Sequence, residues 1–115
     1  MNALIIFNEA PYGREHSYNG LRLANSLTGT GASVRVFLFG DAAACAKRGQ
    51  GVPGGYYNIE TMLAGMAKRG VAIGVCGSCM DARGIAEEEL VSGAHRSSMA
   101  EVTEWTLAAD KVLTF

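Results

Sequence analysis

Three nearly continuous apolar runs, separated by segments with helical periodicity, constrain the fold of this chain more than any other feature of its sequence. The runs occupy residues 3–7, 34–39 and 71–76, and Arg35 is the only charged residue in them. Each run is shorter than an ordinary helix and apolar on both faces, which is typical of a buried strand in a parallel sheet. Strands that alternate with helices predict an α/β fold with right-handed crossovers.

The predicted helices follow from apolar spacing and from capping residues. Residues 17–28 form the first helix, with Ser17 as its N-cap, and Asp41 caps a short alanine-rich helix after the second strand. Asn58 caps a helix that leads into the third strand, and Ser98 begins a helix with capping-box spacing. Helices therefore separate the predicted strands along most of the chain.

Two further strands and one turn complete the predicted architecture. A short fourth strand is expected near His95 and a last strand over residues 111–115, while residues 81–83 form a turn or a short helix. We therefore expect one α/β domain. It is a three-layer sandwich with a mostly parallel five-stranded sheet and helices on both faces.

Composition excludes several classes of function. With 10 basic and 11 acidic side chains in 115 residues, the formal net charge is −1, so the basic field that drives nucleic-acid binding is lacking. The apolar runs fall far below the roughly 20 residues that span a bilayer, which argues against membrane insertion. Three cysteines make a closed disulfide framework improbable, and no charged-then-apolar leader precedes the first strand. A reducing cytoplasm is the expected location.

The strongest chemical motif is a C-x-x-C sequence formed by Cys76, Gly77, Ser78 and Cys79. It follows the third predicted strand, and ligands of parallel sheets bind beyond the carboxyl ends of the strands. Free backbone N–H groups at such a junction, with positive charge from Arg83, favour a thiolate that is nucleophilic near neutral pH. The alternative interpretation treats both cysteines as inert core residues.

The remaining candidate motifs predict neither a metal nor a cofactor. A zinc site needs four ligands, and only Cys45, His16 and His95 are left beside the C-x-x-C pair, so no zinc is expected. Cys45 is interpreted as a packing residue, and neither histidine receives a role. Residues 49–54 match G-x-G-x-x-G but follow a helix instead of a strand, so dinucleotide binding is not expected. The first loop lacks the phosphate-wrapping residues of an FMN site.

Three blocks of sequence resemble the DsrE/DsrF-like family. They are residues 76–84 (CGSCMDARG), 96–99 (RSSM) and 109–115 (ADKVLTF), and the likeness extends over nearly the whole chain. The resemblance implies a small cytoplasmic α/β protein of the sulfur-relay type that assembles as trimers or hexamers. It also implies a cysteine after the third strand that carries persulfide between partner proteins, and Cys76 matches that position.

These observations lead to three hypotheses about function. In the first, Cys76 accepts sulfane sulfur from donor proteins or small sulfane-sulfur compounds, and Cys79 resolves the adduct. The substrate-binding residues are then Gly77, Ser78, Arg83 and Asn8. In the second, the chain is a non-catalytic oligomeric module that binds a small anion or metabolite near Arg14, Arg83 and Arg96. In the third, it is a dithiol redox protein.

A homo-oligomer is expected because the fold leaves apolar surface exposed, including the side chains of Tyr12, Tyr56 and Tyr57.

Overall fold

In the computed structural model, which describes all 115 residues, five parallel strands form one sheet. Their order across the sheet is β4-β3-β2-β1-β5. The expected fold class is confirmed, and the sheet is fully parallel where a mostly parallel one was predicted. The strands are β1 (Asn2–Phe7), β2 (Ser33–Leu38), β3 (Ala72–Cys76), β4 (Ala94–Ser97) and β5 (Lys111–Thr114).

Helices cover both faces of the sheet. They are α1 (His16–Gly29), α2 (Ile59–Lys68), α3 (Gly77–Ala82) and α4 (Met99–Ala108), with 3-10 segments at Gly40–Ala46 and Glu87–Glu89. Helix α4 packs on one face, and the other helices pack on the opposite face. None of the helices combines the length and apolar character needed to cross a bilayer.

The sheet separates two apolar clusters of unequal size. Along β1, Ile5 and Phe7 belong to a cluster of 22 buried residues shared with α1 and α2. Leu4 points to the opposite face, where it belongs to a cluster of only 4 buried residues that includes Val102 and Trp105. Because successive side chains of a strand alternate between faces, the continuous apolar runs supply both clusters at once. Most of the buried core therefore lies on the side away from α4.

Two predicted helix caps are confirmed. The Asn58 side-chain oxygen accepts a hydrogen bond from the Thr61 backbone N–H at 3.0 Å, and the Ser98 hydroxyl accepts one from the Glu101 N–H at 3.2 Å. The predicted N-cap at Ser17 is wrong.

Ser17 is buried inside α1, which begins at His16 with Glu15 at the N-cap position. Its hydroxyl lies 2.9 Å from the Glu9 carbonyl oxygen and 3.1 Å from that of Ala10. A buried hydroxyl needs such a partner. Ser17 therefore fastens the loop after β1 instead of starting the helix.

Two local predictions on the cysteine side of the sheet are also corrected. Phe39 occupies the N-cap position of the 3-10 segment and makes no side-chain cap, so Asp41 does not cap it. Helix α3 begins at Gly77, four residues before the predicted turn at residues 81–83. The Asp41 carboxylate instead accepts hydrogen bonds from Arg83. Helix α3 begins early because the Cys76 sulfur caps it by accepting a hydrogen bond from the Cys79 N–H.

Gly20 marks the closest approach of α1 to the sheet. A Cβ atom at this position would lie 2.5 Å from the Phe7 ring and 2.9 Å from the Phe115 ring. We expect Gly20→Ala to lower the free energy of unfolding by roughly 1–3 kcal/mol, because overpacking outweighs a helix-propensity gain of about 1 kcal/mol. Urea unfolding measures the change. Gly29→Ala is the matched control, since a Cβ there meets nothing within 4 Å and should not destabilise the protein. A more stable Gly20→Ala variant would contradict the expectation.

Candidate functional site

The two cysteines of the C-x-x-C motif lie where β3 passes directly into α3. Cys76 is the last residue of β3, and Gly77 is the first residue of α3. The sulfur atoms of Cys76 and Cys79 are joined as a disulfide, and the Cα atoms lie 5.2 Å apart. That Cα separation is within the usual range for bridged cysteines. One helical turn is therefore enough to bring the two sulfurs together.

The Cys76 sulfur has polar neighbours on its own short helix. Cys76 occupies the N-cap position of α3, and its Sγ accepts a hydrogen bond from the Cys79 backbone N–H at 3.3 Å. The Ser78 hydroxyl lies 3.4 Å from the same sulfur. Hydrogen bonds from such groups favour a thiolate over a thiol. The sequence therefore placed Cys76 correctly at a strand end with donors around it.

The two cysteines pack against opposite sides of the sheet. Cys76 contacts the smaller cluster under α4, whereas Cys79 contacts the larger cluster. Both side chains are only partly buried. The motif therefore lies at the rim where the two layers meet, and neither sulfur is sealed in the core.

The Arg83 guanidinium lies at the carboxyl end of α3 and is already paired. It donates to the Asp41 carboxylate at 2.8 Å from Nη2 and 3.1 Å from Nε, and Nη1 donates to the Cys79 carbonyl oxygen at 3.1 Å. Arg83 therefore contacts the backbone of the motif instead of its sulfurs. The contact fastens α3 to the 3-10 segment that follows β2.

A second arginine, Arg96 of β4, packs directly against the motif. A Cβ at Gly77 would lie 2.9–3.0 Å from three atoms of the Arg96 guanidinium, so a larger residue there would displace this guanidinium. The same guanidinium makes two hydrogen bonds to the Asp81 carboxylate, at 2.8 and 2.9 Å. These bonds hold the pKa of Asp81 below its ordinary value and raise the pKa of Arg96. From the sequence, Arg96 was predicted only as a positive charge near a bound anion. The one residue that could have indicated its contact with the motif is the glycine between the two cysteines.

Asn8 lies two strands away from β3 and faces the opposite edge. Its backbone N–H donates to the Phe115 carbonyl oxygen at 2.9 Å, and its side-chain amide points to the same oxygen at 3.5 Å. The structure thus groups Gly77, Ser78 and Arg83 around the cysteines, whereas the Asn8 side chain lies apart from them.

A polar cluster lies on β4 beside the cysteine strand. Ser97 is the register partner of Cys76, and its hydroxyl donates to Glu101 at 2.6 Å. The same carboxylate pairs with His95, whose role the sequence did not indicate. Burial raises the pKa of Glu101, but the hydrogen bonds from Ser97 and His95 outweigh it and leave the pKa lowered. Glu101 is therefore the anionic centre of this cluster.

The other candidate ligands stand away from the motif. Cys45 is fully buried, and burial raises its pKa to about 12, so its thiol stays protonated at neutral pH. His16 is the exposed first residue of α1. No three His, Cys, Asp or Glu side chains lie close enough together to hold a metal ion.

None of the three cavities is lined by Cys76 or Cys79. The two cysteines therefore lie at an open surface and not in a cavity.

The pairing of Arg96 with Asp81 gives a pH-dependent prediction. The pKa of Asp81 is lower in the folded protein than its unfolded-state value of 3.8. The ionised carboxylate therefore stabilises the fold fully at pH values above 3.8, and this stabilisation is lost as the pH falls through the folded-state pKa. We expect Arg96→Gln to raise the pKa of Asp81 and to destabilise the protein more at pH ~7 than at pH ~3. Urea midpoints at both pH values measure the difference.

Arg14→Gln is the control for this comparison. Arg14 is an exposed arginine whose nearest carboxylate, on Glu9, lies 3.9 Å away. Its replacement should change the urea midpoint little at either pH. Equal destabilisation by Arg96→Gln at both pH values would contradict an electrostatic contribution and leave only the packing of Arg96 on Gly77.

Comparison with known proteins confirms the family that the sequence resembles. The sequence model of the DsrE/DsrF-like family matches residues 1–115. Protein YchN of Escherichia coli K12 is 42% identical over 114 residues, which cover 97% of each chain. An uncharacterized protein of Methanocaldococcus jannaschii is 35% identical over 115 residues and is covered in full, as is this chain.

Solved structures agree with the sequence comparison. The crystal structure of E. coli YchN has a TM-score of 0.93 at 41% identity, covering 99% of this chain and 98% of that one. A protein of unknown function from Methanobacterium thermoautotrophicum has a TM-score of 0.73 at 12% identity, which shows a shared fold alone. The fold, the matched length and the identity to YchN together show that this chain belongs to the DsrE/DsrF-like family.

Proposed function

We propose that this chain carries sulfane sulfur as a persulfide on Cys76 and that Cys79 is the resolving thiol. One observation carries the proposal. The Cys76 sulfur lies at the rim of the sheet, accepts a hydrogen bond from the Cys79 N–H, and is within bonding reach of a second sulfur. Membership of a family associated with sulfur relay supports the same chemistry.

Loading requires the reduced pair. A thiol reductant first opens the Cys76–Cys79 bond, giving two thiols and one oxidised reductant. The Cys76 thiolate then attacks the outer sulfur of a donor persulfide, R–S–SH. The donor S–S bond breaks, the donor leaves as a thiolate, and Cys76 carries the transferred –SH. The hydrogen bond from the Cys79 N–H stabilises the anionic sulfur before attack.

Unloading has two routes that differ in the sulfur attacked. An acceptor nucleophile takes the outer sulfur and returns Cys76 to a thiolate. Without an acceptor, the Cys79 thiolate attacks the inner sulfur, hydrosulfide leaves, and the Cys76–Cys79 bond forms. The sulfur-to-sulfur contact within one helical turn favours this second route. Cys79 therefore limits the lifetime of the persulfide.

The open position of the motif favours reactants that reach a surface. No cavity surrounds the cysteines, so the site does not enclose a small substrate. Donor and acceptor proteins that present a sulfur on an exposed segment fit this geometry, as do small sulfane-sulfur compounds. A reducing compartment such as the cytoplasm supplies the thiols that reopen the pair.

A dithiol redox function is the second candidate. The direct bond between the Cys76 and Cys79 sulfurs favours it, because a pair that closes without a long loop is suited to exchange with another disulfide. In that function two electrons and two protons move, and no sulfur atom is transferred. The two functions differ in the product that a persulfide donor leaves on the protein.

Mass spectrometry of single-cysteine variants tests the sulfur-carrier proposal. The reduced protein is treated with a glutathione persulfide donor and weighed intact. We expect Cys79→Ser to keep an adduct of about 32 Da, because its resolving thiol is missing. The wild type should lose the adduct and release one hydrosulfide for each Cys76–Cys79 bond formed. Cys76→Ser should gain no stable adduct.

Cys45→Ala is the control and should behave as the wild type, since its thiol is buried. An adduct that persists in Cys76→Ser would overturn the assignment of the carrier residue. If Cys79→Ser gains no sulfur while the wild-type pair opens and closes reversibly with a small dithiol, the redox function replaces the carrier function.

We also propose that the chain assembles as a homotrimer or homohexamer through the face of α4. Leu107 is 84% exposed and Met99 is 67% exposed on this helix. They line a mostly apolar cavity of about 290 Å³ with Ile6 and Phe39, at the carboxyl ends of β1 and β2. Continuous exposed apolar surface of this kind marks contact sites between proteins. A second copy seated there would lie close to the end of β3 and to Cys76.

Leu107→Asp tests the assembly proposal. The substitution places a charge in the contact without disturbing a buried side chain, so the folded chain should dissociate toward a single-chain mass of 12.1 kDa. Sedimentation velocity at micromolar concentration measures this mass. Leu23→Asp is the matched control, because Leu23 is an exposed leucine of α1 on the opposite face. A wild type that sediments as one chain would overturn the proposal.

A further inference from the structure

The largest cavity of the molecule lies between α1 and α2, away from the cysteines. Its volume is about 340 Å³, and residues of both helices line it. This volume lies at the lower end of the range typical of small-molecule sites. Nothing in the sulfur chemistry proposed above uses this groove, which we call the α1/α2 groove.

The α1/α2 groove has an apolar floor and an opening that a glycine keeps clear. Leu21 and Met66, which are both 1% exposed, close the base of the groove, and the half-buried Met62 offers apolar surface that a ligand can contact. Gly65 contributes no side chain to the wall, and a Cβ there would approach only the Arg69 Nη1 atom, at 3.6 Å. The groove can therefore receive the apolar body of a small ligand.

Two arginines without acidic partners line the α1/α2 groove. The Arg22 guanidinium donates to the Asn19 side-chain oxygen at 3.1 Å, and the Arg69 guanidinium donates to that of Asn25. No carboxylate lies within 4.0 Å of either guanidinium, in contrast to Arg83 and Arg96 at the cysteine site.

Most of the donors of these two arginines remain free. Each guanidinium carries five N–H donors, and a single side-chain oxygen occupies part of them. The planar fork matches the oxygens of a carboxylate or a phosphate. Arg22 is also held over the Tyr18 ring, 5.5 Å from its centroid, which limits its rotamers before any ligand arrives.

We propose that the α1/α2 groove binds a small organic oxyanion. Arg22 and Arg69 bind the carboxylate or phosphate group, and the hydroxyls of Ser26 and Thr61 lie in the same groove as further donors. The apolar part of the ligand packs on the methionine side of the floor. Two uncompensated cations above an apolar floor fit an amphiphilic anion better than a neutral molecule or a bare ion.

Methionine methyl groups report directly on occupancy of the α1/α2 groove. Of the chain's five methionines, Met62 and Met66 line the groove, whereas Met1, Met80 and Met99 do not. In protein with ¹³C-labelled methionine methyls, phenyl phosphate should shift the Met62 and Met66 signals saturably and leave the other three nearly unchanged. This measurement works on the whole protein in any assembly state. Benzoate is titrated in parallel to compare the carboxylate with the phosphate.

Arginine variants test the assignment of the anion. Arg22→Gln and Arg69→Gln should each weaken phenyl phosphate binding by about fivefold to tenfold, since each removes charge-assisted hydrogen bonds. Arg48→Gln makes the same charge change outside the groove and should bind as the wild type. Thermal unfolding of each variant shows whether the fold is retained.

The ligand series completes the test. Phenol lacks the charge and inorganic phosphate lacks the apolar body, so both should bind more weakly than phenyl phosphate. Equal binding of phenol, or unchanged affinity in the double variant R22Q/R69Q, would overturn the role of the arginines. Equal binding of inorganic phosphate would overturn the organic ligand. Failure of Met62 to shift up to about 10 mM phenyl phosphate would overturn the site itself.

Discussion

The direct passage of β3 into α3 is the constraint on which the candidate site depends. Cys76 completes the last backbone pair between β3 and β4 and also serves as the N-cap of α3. No loop separates the strand from the helix, so the first turn brings the Cys79 N–H and sulfur to the Cys76 sulfur. Gly77 has no side chain, and the Arg96 guanidinium packs in the space that this leaves at the junction. A rigid strand end therefore holds the sulfur in place.

The charged groups around this junction mainly position the short helix. Arg83 links α3 to the segment after β2, and Arg96 links it to β4, each through a carboxylate. Pairs as exposed as these add little to the free energy of folding. Their geometry nevertheless ties a six-residue helix, too short to be stable alone, to two neighbouring elements. The thiol chemistry proposed for Cys76 therefore relies on the Cys79 N–H and the Ser78 hydroxyl more than on an unpaired cation.

The two sides of the sheet bury unequal amounts of apolar surface. The side with α1 and α2 buries most of the apolar side chains, and its outer surface offers an open groove with two arginines that lack acidic partners. The side with α4 buries few residues and leaves Met99 and Leu107 exposed. A thinly covered sheet face gains stability if a second copy covers it. The cysteines lie between these two sides, in contact with both clusters.

The sequence alone determined the features that depend on neighbours along the chain. Apolar runs predicted the three central strands, and local donors and acceptors predicted the caps at Asn58 and Ser98. The position of Cys76 at a strand end followed from the same pattern. The predicted caps at Ser17 and Asp41 are wrong, because Ser17 donates to the loop after β1 and Asp41 accepts from Arg83.

Only the tertiary structure decided the contacts between distant segments. The packing of Arg96 on Gly77 joins β4 to α3, and the α1/α2 groove exists because two helices pack side by side. An arginine side chain is long enough to reach several possible partners. The carboxylate with which it pairs depends on which elements the strand order brings together. Local patterns set by neighbouring residues can be read along the chain, whereas these pairings arise only when the sheet and helices pack together.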